Sequence, residues 1–356
     1  MTSNEELLKK IDFLSDKCAQ ALGDDPQLWR GLGLKHRSLI ERFGFENFKR
    51  TINFEYGQWG ITSLRSPFVA KQLINLLQAG ILPYGGLLAR YNRSAAEGIR
   101  WPDQLDAEQG TSISDAKTGR LPLASYALYC GLLWQYAVSQ DKVGVLKTVD
   151  ESLVGNPLPI TYNRRLISQD LAIASLEINR IAEYCRPQEA RRVLEIGGGY
   201  GRIAYPFCIT FPAERYFMAD ISPASAISQR YLSTVLPGQT GEFVDGFRVE
   251  NTTKRINFVL PHQLSSVPDG YFDLVINTSS FDEMPIETVA NYFNEIDRTC
   301  KGYLYLNGHR VLNTGGTRSG LEHFPYREKW KLVFSGAHPV APTFVERCYD
   351  LGGRSR

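Results

Sequence analysis

Residues 193–201 read VLEIGGGYG, an apolar run that carries one acid, Glu195, and then breaks into glycines at 197, 198, 199 and 201. Glycine at this density serves a backbone that must turn through positive φ, or one that a ligand must approach more closely than a side chain allows. The dinucleotide fingerprint wants a glycine in the sixth position, where counting from Gly197 gives Arg202. No Lys followed by Ser or Thr supplies a phosphate-cradling P-loop either. Glu195, just before the turn, would repel a pyrophosphate and attract an ammonium group. A second acid, Asp220, closes the next apolar run, where a carboxylate can accept hydrogen bonds from both ribose hydroxyls. A ribose and a positive charge without a phosphate describe S-adenosylmethionine. A bare strand-to-helix turn explains the glycines without any ligand, and helix capping is the corresponding alternative for Asp220.

The elements that must hold these groups are legible around them. Short apolar runs at 192–196, 216–219, 256–260, 272–277 and 303–306 read as strands, with helix-like segments at 203–211, 224–235 and 286–299 between several of them. Strands alternating with helices predict an α/β, Rossmann-like parallel sheet covered on both faces. The tail departs from that rhythm. WKLVFSG and TFVERCYDL are two strand-like runs joined by a loop alone, which predicts an antiparallel hairpin finishing the sheet.

VLEIGGGYG resembles motif I of the class I S-adenosylmethionine-dependent methyltransferases, E/D-x-G-x-G-x-G, and the terminal hairpin is also a feature of that fold. A narrower likeness is carried by LPHQL at 260–264, FDLVINTSSFDEMP at 272–285 and SQDLAIASLEINRI at 168–181, which resemble the bacterial sugar O-methyltransferase family. Where that family is closer to S-F-Q-E-M, this chain has Ser280, Phe281, Asp282, Glu283 and Met284, so Asp282 stands in place of an amide while Glu283 matches.

The resemblance implies roles. Gly197, Gly198, Gly199 and Gly201 would let the backbone meet the methionine and ribose portions of the cofactor. Glu195 would face its amino group, Asp220 its ribose and Ile221 its adenine. His262 and Gln263 would reach the adenine edge, with ordinary loop hydrogen bonding an equal alternative. Asn277 and Thr278 would line the sulfonium side. Methyl transfer to a sugar hydroxyl needs a base within hydrogen-bond reach, and Asp282, Glu283 and His309 all fall at the carboxyl edge of the sheet. Histidine titrates nearest neutrality, whereas Glu283 opens a helix whose dipole favours an acid in any case. The same three side chains would make an oxygen-rich Mg²⁺ site, although nothing in their spacing requires one.

Residues 1–165 have a different texture and read as a mainly helical domain for acceptor recognition, oligomerisation or both, with the cofactor-binding domain at 166–356. EELLKKIDFLSDKCAQAL places Leu7, Ile11, Leu14, Cys18 and Leu22 on one face. Ser66 and Pro67 signal a helix start, 121–138 reads as a buried helix, and Ser168 or Asp170 as the cap of the next one. Residues 94–120 read as a long surface loop. Tyr56 and Trp59, in NFEYGQWGI, are candidates to stack on a sugar ring, with core packing the plainer alternative. The helices would equally serve a homodimer.

Composition excludes several classes. A formal charge of +2 over 356 residues gives no nucleic-acid footprint, and NTSSF stands where a nucleic-acid methyltransferase would carry N/D-P-P-Y/F. The amino terminus has no signal-peptide run, no segment reads as a membrane span, and six scattered cysteines lack C-x-x-C spacing. These features predict a cytoplasmic chain with reduced thiols. An N-methyltransferase of an amino sugar and a scaffold that keeps the fold without methylating are the alternative functions.

Overall fold

The structure is a computed structural model that describes residues 4–22, 27–52, 74, 89–91, 120–243, 246–314 and 317–352. Tyr56, Trp59, the 94–120 loop and nearly all of the helix starting at Ser66 lie outside the described residues. The chain divides into two compact units, one of Met1–Asp12 with Asp25–Glu177 and another of Phe13–Asp24 with Ile178–Arg356.

The first unit is helical where its apolar spacing says so. Helices α1 (Asn4–Leu22), α2 (Gln27–Phe43), α3 (Phe48–Thr51), α4 (Arg120–Gln140), α5 (Val145–Thr148) and α6 (Gln169–Tyr184) follow one another, with α1 and α6 continuing into the second unit. Ala127, Tyr129, Cys130, Leu132, Leu133, Trp134 and Ala137 of α4 are buried, as suits a helix that is apolar almost all round. Ser168 caps α6, its Oγ accepting the Leu171 N–H at 3.0 Å. The sequence did not announce the three-stranded antiparallel sheet β1 (Arg90–Tyr91), β2 (Ile160–Tyr162) and β3 (Arg165–Ile167). Its strands are too short for a period of two to register. Its β2–β3 turn uses Asn163 and Arg164 at φ 50° and 65°, the left-handed geometry of a tight hairpin, without the glycine that would have signalled it.

A buried ion pair holds the same unit together. Lys49 and Glu151 meet with side chains 0% and 4% exposed, and the Ser168 hydroxyl donates to the same carboxylate. Removing one partner of such a pair strands the other charge, which costs about 3–5 kcal/mol.

The second unit carries the parallel sheet. Its strands are β4 (Arg192–Ile196), β5 (Arg215–Ala219), β6 (Ile256–Val259), β7 (Phe272–Thr278) and β8 (Cys300–His309). After the short pair β9 (Leu312–Thr314) and β10 (Thr317–Ser319) come β11 (Lys331–Ala337) and β12 (Phe344–Asp350). The sheet order is β11-β12-β8-β7-β4-β5-β6. Pairings are parallel from β6 through β8 and antiparallel at β8–β12 and β11–β12. The chain therefore starts mid-sheet at β4, winds outward to β6, crosses back to β7 and β8, and ends in the expected hairpin. This is the sheet order of the class I methyltransferase fold. It places a reversal point between β4 and β7, where open α/β sheets bind ligands at their carboxyl edge.

Burial explains the strand signal. β4, β5, β6 and β7 are buried on both faces, so they read as near-continuous apolar runs. Helices α7 (Ala204–Thr210), α8 (Ala224–Val235) and α9 (Ile286–Thr299) cover the sheet. Val289, Phe293 and Ile296 of α9 share one buried face, and Phe293 packs on Phe281, Phe324 and Trp330 at 5.3–5.9 Å. Truncating a phenylalanine buried in this way costs roughly 3–5 kcal/mol. β8 runs further than the 303–306 expected. Its polar end, Asn307 to His309, is strand because β12 pairs with it through Phe344 opposite His309, a ladder that apolar periodicity does not report.

Among the described residues, no helix is long and apolar enough to cross a membrane. All six cysteines are buried free thiols.

Candidate functional site

The glycine turn follows β4 directly. Gly197, Gly199 and Gly201 adopt φ 69°, 57° and 96°, a region that side chains with a β-carbon enter only at a cost. The turn is also crowded: a β-carbon on Gly197 would collide with Ser280 Oγ, and one on Gly198 would lie 2.6 Å from Met218 Cε. Gly197 N–H donates to Ala219 O on β5 at 2.8 Å, and Gly201 N–H closes the turn onto Gly198 O at 2.9 Å.

Asp220 closes β5 beside this turn. Its Oδ2 accepts the Gly199 N–H at 2.9 Å and its Oδ1 the Ile221 N–H at 2.8 Å. Burial pushes its carboxyl up to about 7, more than the two amide donors pull it down. Each carboxylate oxygen has two acceptor sites, so the pair that holds the loop still has capacity for two hydroxyl donors. Half-buried Ile221 sits next in the chain. Glycines without room for a side chain and a bidentate acceptor beside them fit a nucleoside ribose.

Glu195 is placed differently from the expectation that it faces a cofactor amine. It is 1% exposed, and its Oε2 accepts the Tyr216 hydroxyl at 2.8 Å beneath Gly198. Burial and the adjoining Glu195 carboxylate raise the Tyr216 phenol well above its usual range, so this proton stays on tyrosine. Glu195 thus supports the turn from below. The parallel register sets Tyr216 beside Val193, so its side chain lies on the same face of the sheet as Glu195 two residues on.

His262 and Gln263 lie half-buried in the short turn Pro261–Ser266 after β6. Gln263 Oε1 accepts the Leu260 N–H at 2.9 Å, so its amide oxygen closes that turn. Asn277, at the end of β7, is buried and donates to Ile196 O at 2.9 Å and to Ser280 Oγ at 2.5 Å. It therefore stitches the end of β7 to the end of β4, with Thr278 half-buried beyond it. Ser279 adopts φ 67°, an uncommon conformation for a residue with a β-carbon, and its N–H donates to Asn307 O at 2.6 Å.

The turn Ser280–Glu283 then brings the second set of groups together. Asp282 Oδ2 accepts the backbone N–H of His309 at 2.6 Å and lies 3.0 Å from His309 Nδ1. The Asp282 side chain is 3% exposed and that of His309 32%, so one is sealed and the other reaches solvent. Phe344 packs against the imidazole at 4.1 Å between centroids, with the two rings tilted by 40°. Gly308 makes room for Leu321 and for the carboxylate, since a β-carbon there would lie 2.5 Å from Leu321 Cδ1 and 2.8–2.9 Å from both Asp282 oxygens. Glu283 points to the exposed side of the same turn.

A Mg²⁺ ion does not fit these three side chains as a set. Asp282 is enclosed, and its Oδ2 is occupied by two nitrogens of His309. Among the described residues, no group of three His, Cys, Asp or Glu is arranged to hold a metal ion.

Sequence reasoning missed four residues: Tyr216, Ser280, Gly308 and Phe344. Only Phe344 left a usable signal, since register in a terminal hairpin would have set it opposite His309.

No family model matches the chain. Among solved structures, it is similar to the N-methyltransferase NodS from Bradyrhizobium japonicum WM9, with 13% identity over 51% of this chain and 93% of that one, TM-score 0.36. It is also similar to the pyocyanin biosynthetic protein PhzM, with 14% identity over 50% of this chain and 54% of that one, TM-score 0.34. A third likeness is to PigF, solved with SAH, with 16% identity over 48% of this chain and 52% of that one, TM-score 0.33. The fold assignment stands on the strand order itself.

Proposed function

We propose that this chain is an S-adenosylmethionine-dependent methyltransferase acting on a hydroxyl of a sugar or glycosylated small molecule. The observation that carries the methyl-donor half is Asp220 bonded to the glycine turn, with acceptor capacity left on both oxygens. The sugar acceptor rests on the sequence resemblance at 168–181, 260–264 and 272–285.

The donor, when bound, supplies a methyl group already activated by its sulfonium. The chain's own task is then to position and to move a proton. Gly197, Gly199 and Gly201 give the backbone room, Asp220 accepts the ribose hydroxyls, and Ile221 offers an apolar wall to the adenine. His309 stands at the same carboxyl edge, two strands away from the glycine turn.

Calorimetric titration with S-adenosylhomocysteine tests the donor half. The parent should bind, and Asp220→Ala should weaken binding by roughly tenfold or more, as expected for losing hydrogen bonds to a charged acceptor. A folded parent that does not bind would overturn the reading. With binding in hand, methyl glycosides and their 2-amino counterparts decide between a hydroxyl and an amine as the acceptor.

A further inference from the structure

We infer that Asp282 is a positioning residue that fixes His309 as the proton acceptor of the reaction, with Nδ1 protonated and Nε2 presented to the substrate hydroxyl; this rests on the methyltransferase reading above.

Three independent features converge on the pair. Asp282 grips both the main chain and the ring of His309, at 2.6 Å and 3.0 Å, which fixes the position of the residue and the rotation of its ring. A carboxylate only accepts, so the ring nitrogen facing it carries the proton and the opposite nitrogen offers its lone pair. Glycine weakens a strand interior, and at 308 it leaves room that two neighbours use. A β-carbon there would lie 2.5 Å from Leu321 Cδ1 and 2.8–2.9 Å from the Asp282 oxygens, so its absence admits the leucine and the carboxylate together, while Phe344 packs against the imidazole at a tilt of 40°.

The pair also stands next to the donor site. Ser280 Oγ occupies the space above Gly197, and Ser280 opens the four-residue turn that carries Asp282. Asp282, which positions the proton acceptor, is thus mounted on the turn whose first residue packs against the glycines.

The step balances as follows. The acceptor oxygen forms its bond to the methyl carbon as the carbon–sulfur bond breaks, and that bonding pair stays on sulfur as a neutral thioether. The hydroxyl proton passes to His309 Nε2. The resulting imidazolium keeps its Nδ1 proton towards Asp282, whose negative charge stabilises it, and bulk water later removes the Nε2 proton.

Nitrogen-detected NMR of the imidazoles, on the full chain saturated with S-adenosylhomocysteine, reads the tautomer without any acceptor. His309 in the parent should be the Nδ1–H form, and Asp282→Asn should abolish that preference while S-adenosylhomocysteine still binds. A parent ring protonated at Nε2, or an unchanged tautomer in Asp282→Asn, would overturn the inference. Turnover of methyl glycosides supplies the second arm. His309→Gln should lower kcat by roughly 100-fold or more with the donor Kd within twofold, the range general bases supply. Asp282→Asn should lower kcat and leave KM near the parent's, and added imidazole should restore turnover to His309→Gly but not to Asp282→Asn. Full activity in His309→Gln would sink the proposal, whereas failure of the parent to bind S-adenosylhomocysteine would sink the methyltransferase reading instead.

Discussion

The two ends of the candidate site, both on the carboxyl edge of one sheet, are built by opposite means. On the β4–β5 side the work is done by backbone and by missing side chains: three glycines at positive φ, and amides that Asp220 gathers from above. On the β7–β8 side it is done by side chains meeting across 27 residues of sequence, a sealed carboxylate holding a half-open imidazole. The first end is shaped for one ligand and has no freedom to change. On the proposed reading, the second presents a single proton-accepting atom and leaves the shape of the acceptor to whatever surrounds it. A donor common to many reactions and an acceptor particular to one would call for that division.

Substitutions at each end should therefore fail differently. Gly197→Ala should do the most damage, because the new β-carbon is both strained and aimed at Ser280 Oγ. Strain of this kind costs about 1–3 kcal/mol, which, if borne by the bound state, is roughly fivefold to 150-fold in S-adenosylhomocysteine affinity by calorimetry. Affinity within twofold of the parent would break the comparison at its donor end.

Asp220→Asn should act more gently and through pH. The folded-state pKa of Asp220 is raised to about 7 from an ordinary value near 4, so the folded protein is favoured by protonation there. That contribution is fully present below about pH 4 and is lost as pH rises through about 7. Relative to the parent, Asp220→Asn should gain thermal stability at pH 8 and gain none at pH 4, as melting curves at the two values would show. Ribose hydroxyls need the carboxylate, so S-adenosylhomocysteine affinity should rise from pH 6 to pH 8 in the parent and stay flat in Asp220→Asn.

Glu283→Gln should change least. Its side chain is exposed at the end of the Ser280–Glu283 turn, three residues ahead of α9, where an acid contributes at most about 0.3–1 kcal/mol through the helix dipole. A kcat on methyl glycosides within threefold of the parent is expected. A hundredfold drop would transfer the base from His309 to Glu283.

The same contrast governs how much of the molecule is legible in its amino-acid sequence. Backbone-built features leave local signatures, and the glycine turn, the closing Asp220, the strand–helix alternation and the terminal hairpin all announce themselves within a few residues. The Asp282–His309 pair does not, because its meaning depends on register. Spacing put both residues at one sheet edge together with Glu283, but only the β7–β8 and β8–β12 ladders decide which carboxylate faces the ring. Glu195 shows the converse hazard: its motif position suggested a ligand contact, while its hydrogen bond from Tyr216 on the neighbouring strand leaves no local mark in the sequence. The small β1–β3 sheet escaped for a third reason, since strands of two and three residues carry no period to detect.

Gly308 has a further consequence for how this fold can diversify. Most strand positions accept any β-branched residue, so a lineage that drifts in acceptor preference would be free to vary the end of β8. Here the vacancy at 308 is shared by the acid at 282 and by Leu321: a methyl group added at 308 has nowhere to go unless both give way. The three positions can exchange only together, through an intermediate that has lost its grip on His309. A lineage that abandoned the acid would still meet the leucine on refilling the strand, so the end of β8 is held by packing as well as by chemistry.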